Sequence, residues 1–100
     1  MSLASVSLAN GELCLAGVLD YRTGAHLREQ GKALVAQVAG NEVVVDCSAV
    51  EKASSVGVSL LLAFSRDARA AGKALKVRAM PQELCQIADV CGISALLERA

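Results

Sequence analysis

Aromatic side chains are nearly missing from this 100-residue chain: Tyr21 and Phe64 are the only two. The core therefore has to be aliphatic, and two rings cannot build the stacking platform on which single-stranded nucleic acid lies. An excess of charge is missing as well, because ten basic and ten acidic residues cancel. No basic stripe is left to displace counterions from a phosphate backbone, so nucleic acid is excluded as a partner. One histidine, His26, and four cysteines without a C-x-x-C give no standard zinc spacing. No metal or cofactor is expected. The chain also lacks an apolar run of about 18 residues that could span a membrane. Its first twenty residues have no positive leader region and are interrupted by Asn10, Gly11 and Glu12, unlike a signal peptide. The expectation is a cytoplasmic protein without direct membrane insertion.

What is present is a large apolar fraction, 54% against 20% charged, in a length that suits one domain over residues 1–100. Cys14, Cys47, Cys85 and Cys91 read as reduced thiols that pack like small hydrophobes, with Cys14 and Cys85 facing apolar surroundings. Apolar and small residues alternate on both sides of Asn10-Gly11. That dipeptide tolerates the positive φ of a type I′ turn, so strands are expected near Ser5–Leu8 and Glu12–Val18, paired antiparallel. Helical spacing follows from Thr23 to Val38, with Leu27, Leu34, Val35 and Val38 on one face and Arg28, Glu29 and Lys32 outside. Gly24 and Gly31 weaken that helix on propensity grounds.

Val43–Val45 is a continuous β-branched run, which predicts a strand covered on both faces and reached by a parallel crossover. Ser54 or Ser55 opens a second helix, buried through Val56, Leu60, Leu61, Ala63 and Phe64. Ser59, Arg66, Asp67 and Arg69 lie outside, and Gly72 is the stop. Lys73–Ala79 alternates as a strand. Pro81 starts a final helix with Leu84, Ile87, Ala88 and Cys91 at i, i+3, i+4 and i+7. The fold class is α/β: a mixed four-stranded sheet with an N-terminal hairpin and helices packed on it, in the order β-β-α-β-α-β-α.

Reactive chemistry finds little support. Gly72-Lys73 is no phosphate loop, because Asp67 stands where a glycine and Ala74 where a hydroxyl would be needed. Cys47 follows a parallel-type strand, but a thiolate phosphatase would need an arginine at the position of Ala53. Asp46 and Ser48 are suited to bonding the backbone of the next loop and stiffening it. The serine pair is different. One helix uses one N-cap, so Ser54 and Ser55 supply a hydroxyl more than capping requires. On spacing alone an ordinary structural role is the commoner one for such a pair; the functional reading is a contact residue or a phospho-acceptor, since a phosphate at a helix N-terminus meets free N–H groups and the positive dipole end.

The stretch "VVVDCSAVEKASSVGVSLLLAF" resembles the signature of the STAS domain, the sulfate-transporter and anti-sigma-factor-antagonist family. The family pattern is an apolar strand ending in Asp-Leu-Ser, a loop, then Asp-Ser-Ser-Gly and an aliphatic helix. Asp46-Cys47-Ser48 matches the first part, with cysteine for leucine. Ser55 falls on the family's phosphorylatable position and Gly57 on its glycine. Ser54 replaces the aspartate and Val56 the second small residue. The resemblance implies a SpoIIAA-like fold and a non-enzymatic interaction module. Among free-standing members it is closest to MlaB-like proteins, which implies a cytoplasmic subunit of a Mla-type phospholipid-transport ABC complex, docked on the ATPase. The alternative it implies is an anti-sigma-factor antagonist that binds a kinase-like anti-sigma factor and is switched by phosphorylation at Ser55. In either case the loop Glu51–Ser55, including Lys52 and Ser54, would face the partner together with Ser59 and Arg66.

Overall fold

The computed structural model describes residues 4–90, 92, 98 and 99. The chain forms β1 (Ser5–Ala9), β2 (Glu12–Leu19), α1 (Gly24–Gln37), β3 (Glu42–Ala53), α2 (Ser55–Ala70), β4 (Ala74–Arg78), α3 (Gln82–Val90) and a two-residue β5 (Glu98–Arg99). The expected mixed four-stranded sheet with three helices is present, and β5 extends it at the far edge. In space the strands run in sequence order. β1 is antiparallel to β2, and the later pairs are parallel. Asn10 (φ 52°) and Gly11 (φ 78°) make the two-residue turn with Ala9 opposite Glu12, as the dipeptide predicts.

Crossovers between parallel strands are right-handed, so a sheet that grows stepwise in one direction places its helices on one side. The burial pattern shows this outcome. In β2, Leu13, Leu15, Gly17 and Leu19 are buried while the residues between them are only partly covered. Val6, Val43, Val45, Cys47, Leu75 and Val77 share the same core. The valine run in β3 is therefore not covered on both faces. Val44 is half-buried and lies on the helix-free side, in register with Lys76. Cys14 lies on that side too, half-buried and opposite Asp46, rather than facing the core as its neighbours suggested. Charged residues stitch this open face together. Arg78 reaches Glu12 at 2.6 Å and Asp46 at 3.1 Å, and Lys76 reaches Glu42 at 3.3 Å.

The two glycines that weaken α1 by propensity have a packing role. A Cβ on Gly31 would overlap the ring of the fully buried Phe64, and one on Gly24 would come to 2.9 Å from Val56 Cγ1. Seven residues apart, they lie on one helical face and let α1 approach α2 closely. Arg28 and Asp67, both expected to face solvent, meet across this pair in a two-pronged ion pair at 2.6 and 3.1 Å. At the end of α2 the amides of Gly72 and Lys73 close a Schellman motif on Arg69 O and Ala68 O. The Lys73 ammonium then donates to the C-terminal carbonyls of α1, including Val35 O at 2.9 Å. No basic residue in the last turn of α1 does that job, so a distant lysine supplies it. In α3, Leu84 and Ala88 are buried and Ile87 is partly so; Cys91 lies outside the described residues.

Candidate functional site

The segment that introduces α2 is not a loop. β3 continues to Ala53, beyond β4, whose pairing with β3 ends at Asp46 opposite Arg78. Glu51 and Lys52 are thus strand residues, and Ser54 alone separates strand from helix. Asp46, expected at the strand end, sits mid-strand beside a register shift. It accepts the Ser48 amide at 2.9 Å. That amide first, then the Ser48 side chain and Arg78, hold its carboxyl below the usual range. The stiffening expected of this pair therefore acts on an irregularity within the strand, not on a following loop.

Ser54 is fully engaged. Its Oγ accepts the Val56 amide at 3.2 Å and donates to Leu19 O at 3.2 Å, while its own amide donates to Leu19 O at 3.1 Å. The cap thus fastens the start of α2 to the end of β2. Ser55, the first helical residue, is exposed, and no side-chain partner engages it among the described residues. The division of labour between the two hydroxyls is resolved: one caps, the other faces outward.

Next to Ser55 runs an open groove of about 470 Å³ between α1 and α2. Val56, Ser59, Ala63 and Arg66 line it from α2, and Gly24, Ala25 and Arg28 from α1. Tyr21 stands at its end with 84% of its surface exposed. At 100° per residue, Ser55, Ser59, Leu62, Arg66 and Arg69 form one stripe of α2, so the expected contacts Ser55, Ser59 and Arg66 are brought together. Lys52 is not with them. It is in register with Val18, between the buried Gly17 and Leu19, which puts it on the helix-free face of the sheet.

The Tyr21 turn is built locally. Asp20 accepts the Arg22 amide at 2.9 Å and pairs with its guanidinium at 2.7 Å, and this pairing keeps the Asp20 carboxyl below its ordinary range. Thr23 occupies the N-cap position of α1 but does not cap by side chain. Its hydroxyl lies 3.2 Å from Val18 O and Asp20 O, tying the turn back to β2.

Cys47 is fully buried, and desolvation pushes its thiol up to about 12. It stays protonated at neutral pH and cannot act as a thiolate nucleophile there. No group of three or more metal-ligating side chains occurs among the described residues. No described helix is long and apolar enough to cross a membrane.

A family model for the MlaB STAS domain matches residues 4–98. The chain belongs to that STAS family. No curated protein matches it in sequence. Solved structures share the fold. The anti-sigma factor antagonist SpoIIAA in its unphosphorylated form is 17% identical, with a TM-score of 0.72 over 98% of this chain and 88% of that one. An anti-sigma factor antagonist from Mycobacterium paratuberculosis is 24% identical, with a TM-score of 0.74 over 95% and 81%. A candidate antagonist from Thermotoga maritima is only 8% identical at the same TM-score, over 96% and 84%. Identities this low speak for the STAS architecture alone.

Within this STAS chain the helix-side surface also holds residues that sequence reasoning passed over: Tyr21, Gly24, Ala25, Arg28 and Ala63. A signal for them existed. Two glycines one heptad apart on an otherwise amphipathic helix mark a close helix–helix approach, and such an approach leaves a groove at its exposed rim. The Arg28–Asp67 pair has no such signal, because 39 residues separate its members.

Proposed function

We propose that this STAS chain is a docking module whose partner covers the exposed start of α2 and the adjoining groove. The partner we infer is the ATPase of a Mla-type phospholipid-transport ABC complex, with the chain as its cytoplasmic subunit, held at the inner membrane only through that complex. Family membership supports this reading, and one observation carries the geometry: Ser55 is free and exposed beside a groove that Ser59 and Arg66 line, while Ser54 does the capping. Docking with no chemical turnover suits a surface that offers the small hydroxyls of Ser55 and Ser59, the ring of Tyr21 and the guanidinium groups of Arg28 and Arg66. Ser54 and Glu51 would serve as supports around Ser55, and Lys52 would touch only a partner that wraps onto the sheet.

A second reading, an antagonist switched by phosphate on Ser55, is favoured by the exposure of that hydroxyl and by the fold shared with SpoIIAA. Either way, a charge at Ser55 buried under a partner without a counter-charge would weaken binding about 30-fold or more. Titration calorimetry of the wild type and Ser55→Glu with the purified ATPase tests the first reading. Tight binding that the variant loses supports it, and wild-type protein that does not bind contradicts it. Intact-mass detection of one phosphate on Ser55 after incubation with a kinase-type anti-sigma factor would favour the second.

A further inference from the structure

β1 is an edge strand of the sheet, and among the described residues it carries none of the usual guards. Edge strands resist unwanted pairing with lysines, prolines, bulges or covering segments. Ser5–Ala9 reads SVSLA, without charge or proline, and its register with β2 is regular from Ser5 opposite Ala16 to Ala9 opposite Glu12. The far side of the sheet contrasts with it, since β4 alternates Lys76 and Arg78 and is covered by β5.

The hairpin register fixes which β1 groups point outward. A two-residue turn makes Ala9 and Glu12 a hydrogen-bonded pair, so Ser7 with Cys14 and Ser5 with Ala16 are bonded pairs too. Val6 and Leu8 fall between them and direct their N–H and C=O groups away from β2. Leu8 also lies on the helix side of the sheet, opposite the buried Leu13, yet remains 36% exposed because the layer ends there.

The helix above β1 continues this neutral edge. Arg28 of α1 points toward α2, where it pairs with Asp67, and Lys32 lies between a cleft shared with Asp67 and a shallow one shared with Glu29 and Gln30. Counting 100° per residue the other way round α1 gives His26, Gln30, Leu34 and Gln37, a stripe at i, i+4, i+8 and i+11. In a chain that is 20% Asp, Glu, Lys and Arg, strand and stripe together contain none of them.

We propose that two copies of this chain associate by antiparallel pairing of their β1 edges across a twofold axis. Identical strands are self-complementary in this arrangement. A register centred on Ser7 overlaps all five residues and bonds Val6 to Leu8 of the second copy, and Leu8 to its Val6, through four N–H···O contacts. It also brings the two uncharged α1 stripes together and covers Leu8. A five-residue strand is about 17 Å long, and the molecule is 21 Å deep along its shortest axis. The flank therefore covers on the order of 350 Å² per copy, well below a standard stable interface of about 800 Å² per partner. The dimer is accordingly weak, with a Kd on the order of 100 μM.

Sedimentation equilibrium from about 10 μM to about 1 mM reads this directly. The weight-average mass should rise from 10.3 kDa to about 1.5-fold that value or more at the top of the range. Leu8→Pro removes an outward amide without touching a β1–β2 bond, and Leu8→Lys adds the missing guard. Both should stay monomeric throughout with an unchanged far-UV spectrum. If Leu8→Pro misfolds, Leu8→Lys and hydrogen exchange on the wild type decide the matter. The Val6 and Leu8 amides should exchange several-fold more slowly at the high concentration. A mass fixed at that of the monomer overturns the proposal, as does association that survives Leu8→Lys with those amides unprotected.

Discussion

Replacing Gly31 by alanine separates packing from propensity, because the two give opposite signs. In an exposed helix interior, glycine to alanine gains about 0.5–1 kcal/mol from the backbone entropy glycine loses on folding. Here the new methyl would overlap Cε1 and Cζ of Phe64 and stand 3.0 Å from Cδ1. Phe64 is fully buried, packed beneath α1 against the aliphatic core, so its ring has no free volume to turn into. Overpacking costs about 1–3 kcal/mol, and a rigid ring edge belongs in the upper half of that range. The net expectation is a loss of about 1–2 kcal/mol, or a fall in Tm of roughly 4–16 °C for a domain of this size. Thermal denaturation followed at 222 nm measures it, with Gln30→Ala as a control on the exposed side of the same helix. A Gly31→Ala protein as stable as the wild type, or more so, would refute the argument that α1 carries glycine for proximity to α2.

Other consequences follow from the caps and the buried thiol. Ser54→Ala should lose about 0.5–2 kcal/mol, because the Val56 amide loses its acceptor, whereas Ser55→Ala should stay within about 0.5 kcal/mol; urea melts of the two variants give the difference. Cys47 has a folded-state pKa of about 12 against 9.0 for the free thiol. Its folded form therefore keeps a proton that the unfolded chain releases, so its contribution is intact below pH 9 and fades as pH rises towards 12. Stability should fall there by up to about 1.4 kcal/mol per pH unit, and Cys47→Ala should show a shallower decline between pH 9 and 11. The native Cys47 thiol should also resist alkylation at pH 8, and rapid labelling would show it to be accessible.

Much of this architecture is legible in the sequence because local signals govern it. Asn10-Gly11 dictates a hairpin, Gly72 stops α2, and the Leu60, Leu61 and Phe64 stripe identifies its buried side. Local signals fail where distant partners decide. The Val43–Val45 run looks buried on both sides, yet all the helices stack on one, and Val44 is left beside Lys76, which pairs with Glu42, on the other. Glu51–Ala53 looks like a loop because of its charges, but pairing with the end of β2 keeps it a strand. Gly24 and Gly31 read as helix weaknesses until Val56 and Phe64 are placed against them. In the candidate site, the serine pair stood out because one cap leaves one hydroxyl over. Tyr21 and Arg28 did not, since only the folded α1–α2 contact places them beside it.

Hydrogen exchange on the chain with and without the proposed transport ATPase reports whether a partner sits on the helix side at the start of α2. Docking there should slow exchange in Tyr21–Arg28 and Ser55–Arg66 and leave the strand β4 unchanged. Slowed exchange confined to β4 and β2, with the segment around Ser55 exchanging as in the free protein, would contradict it.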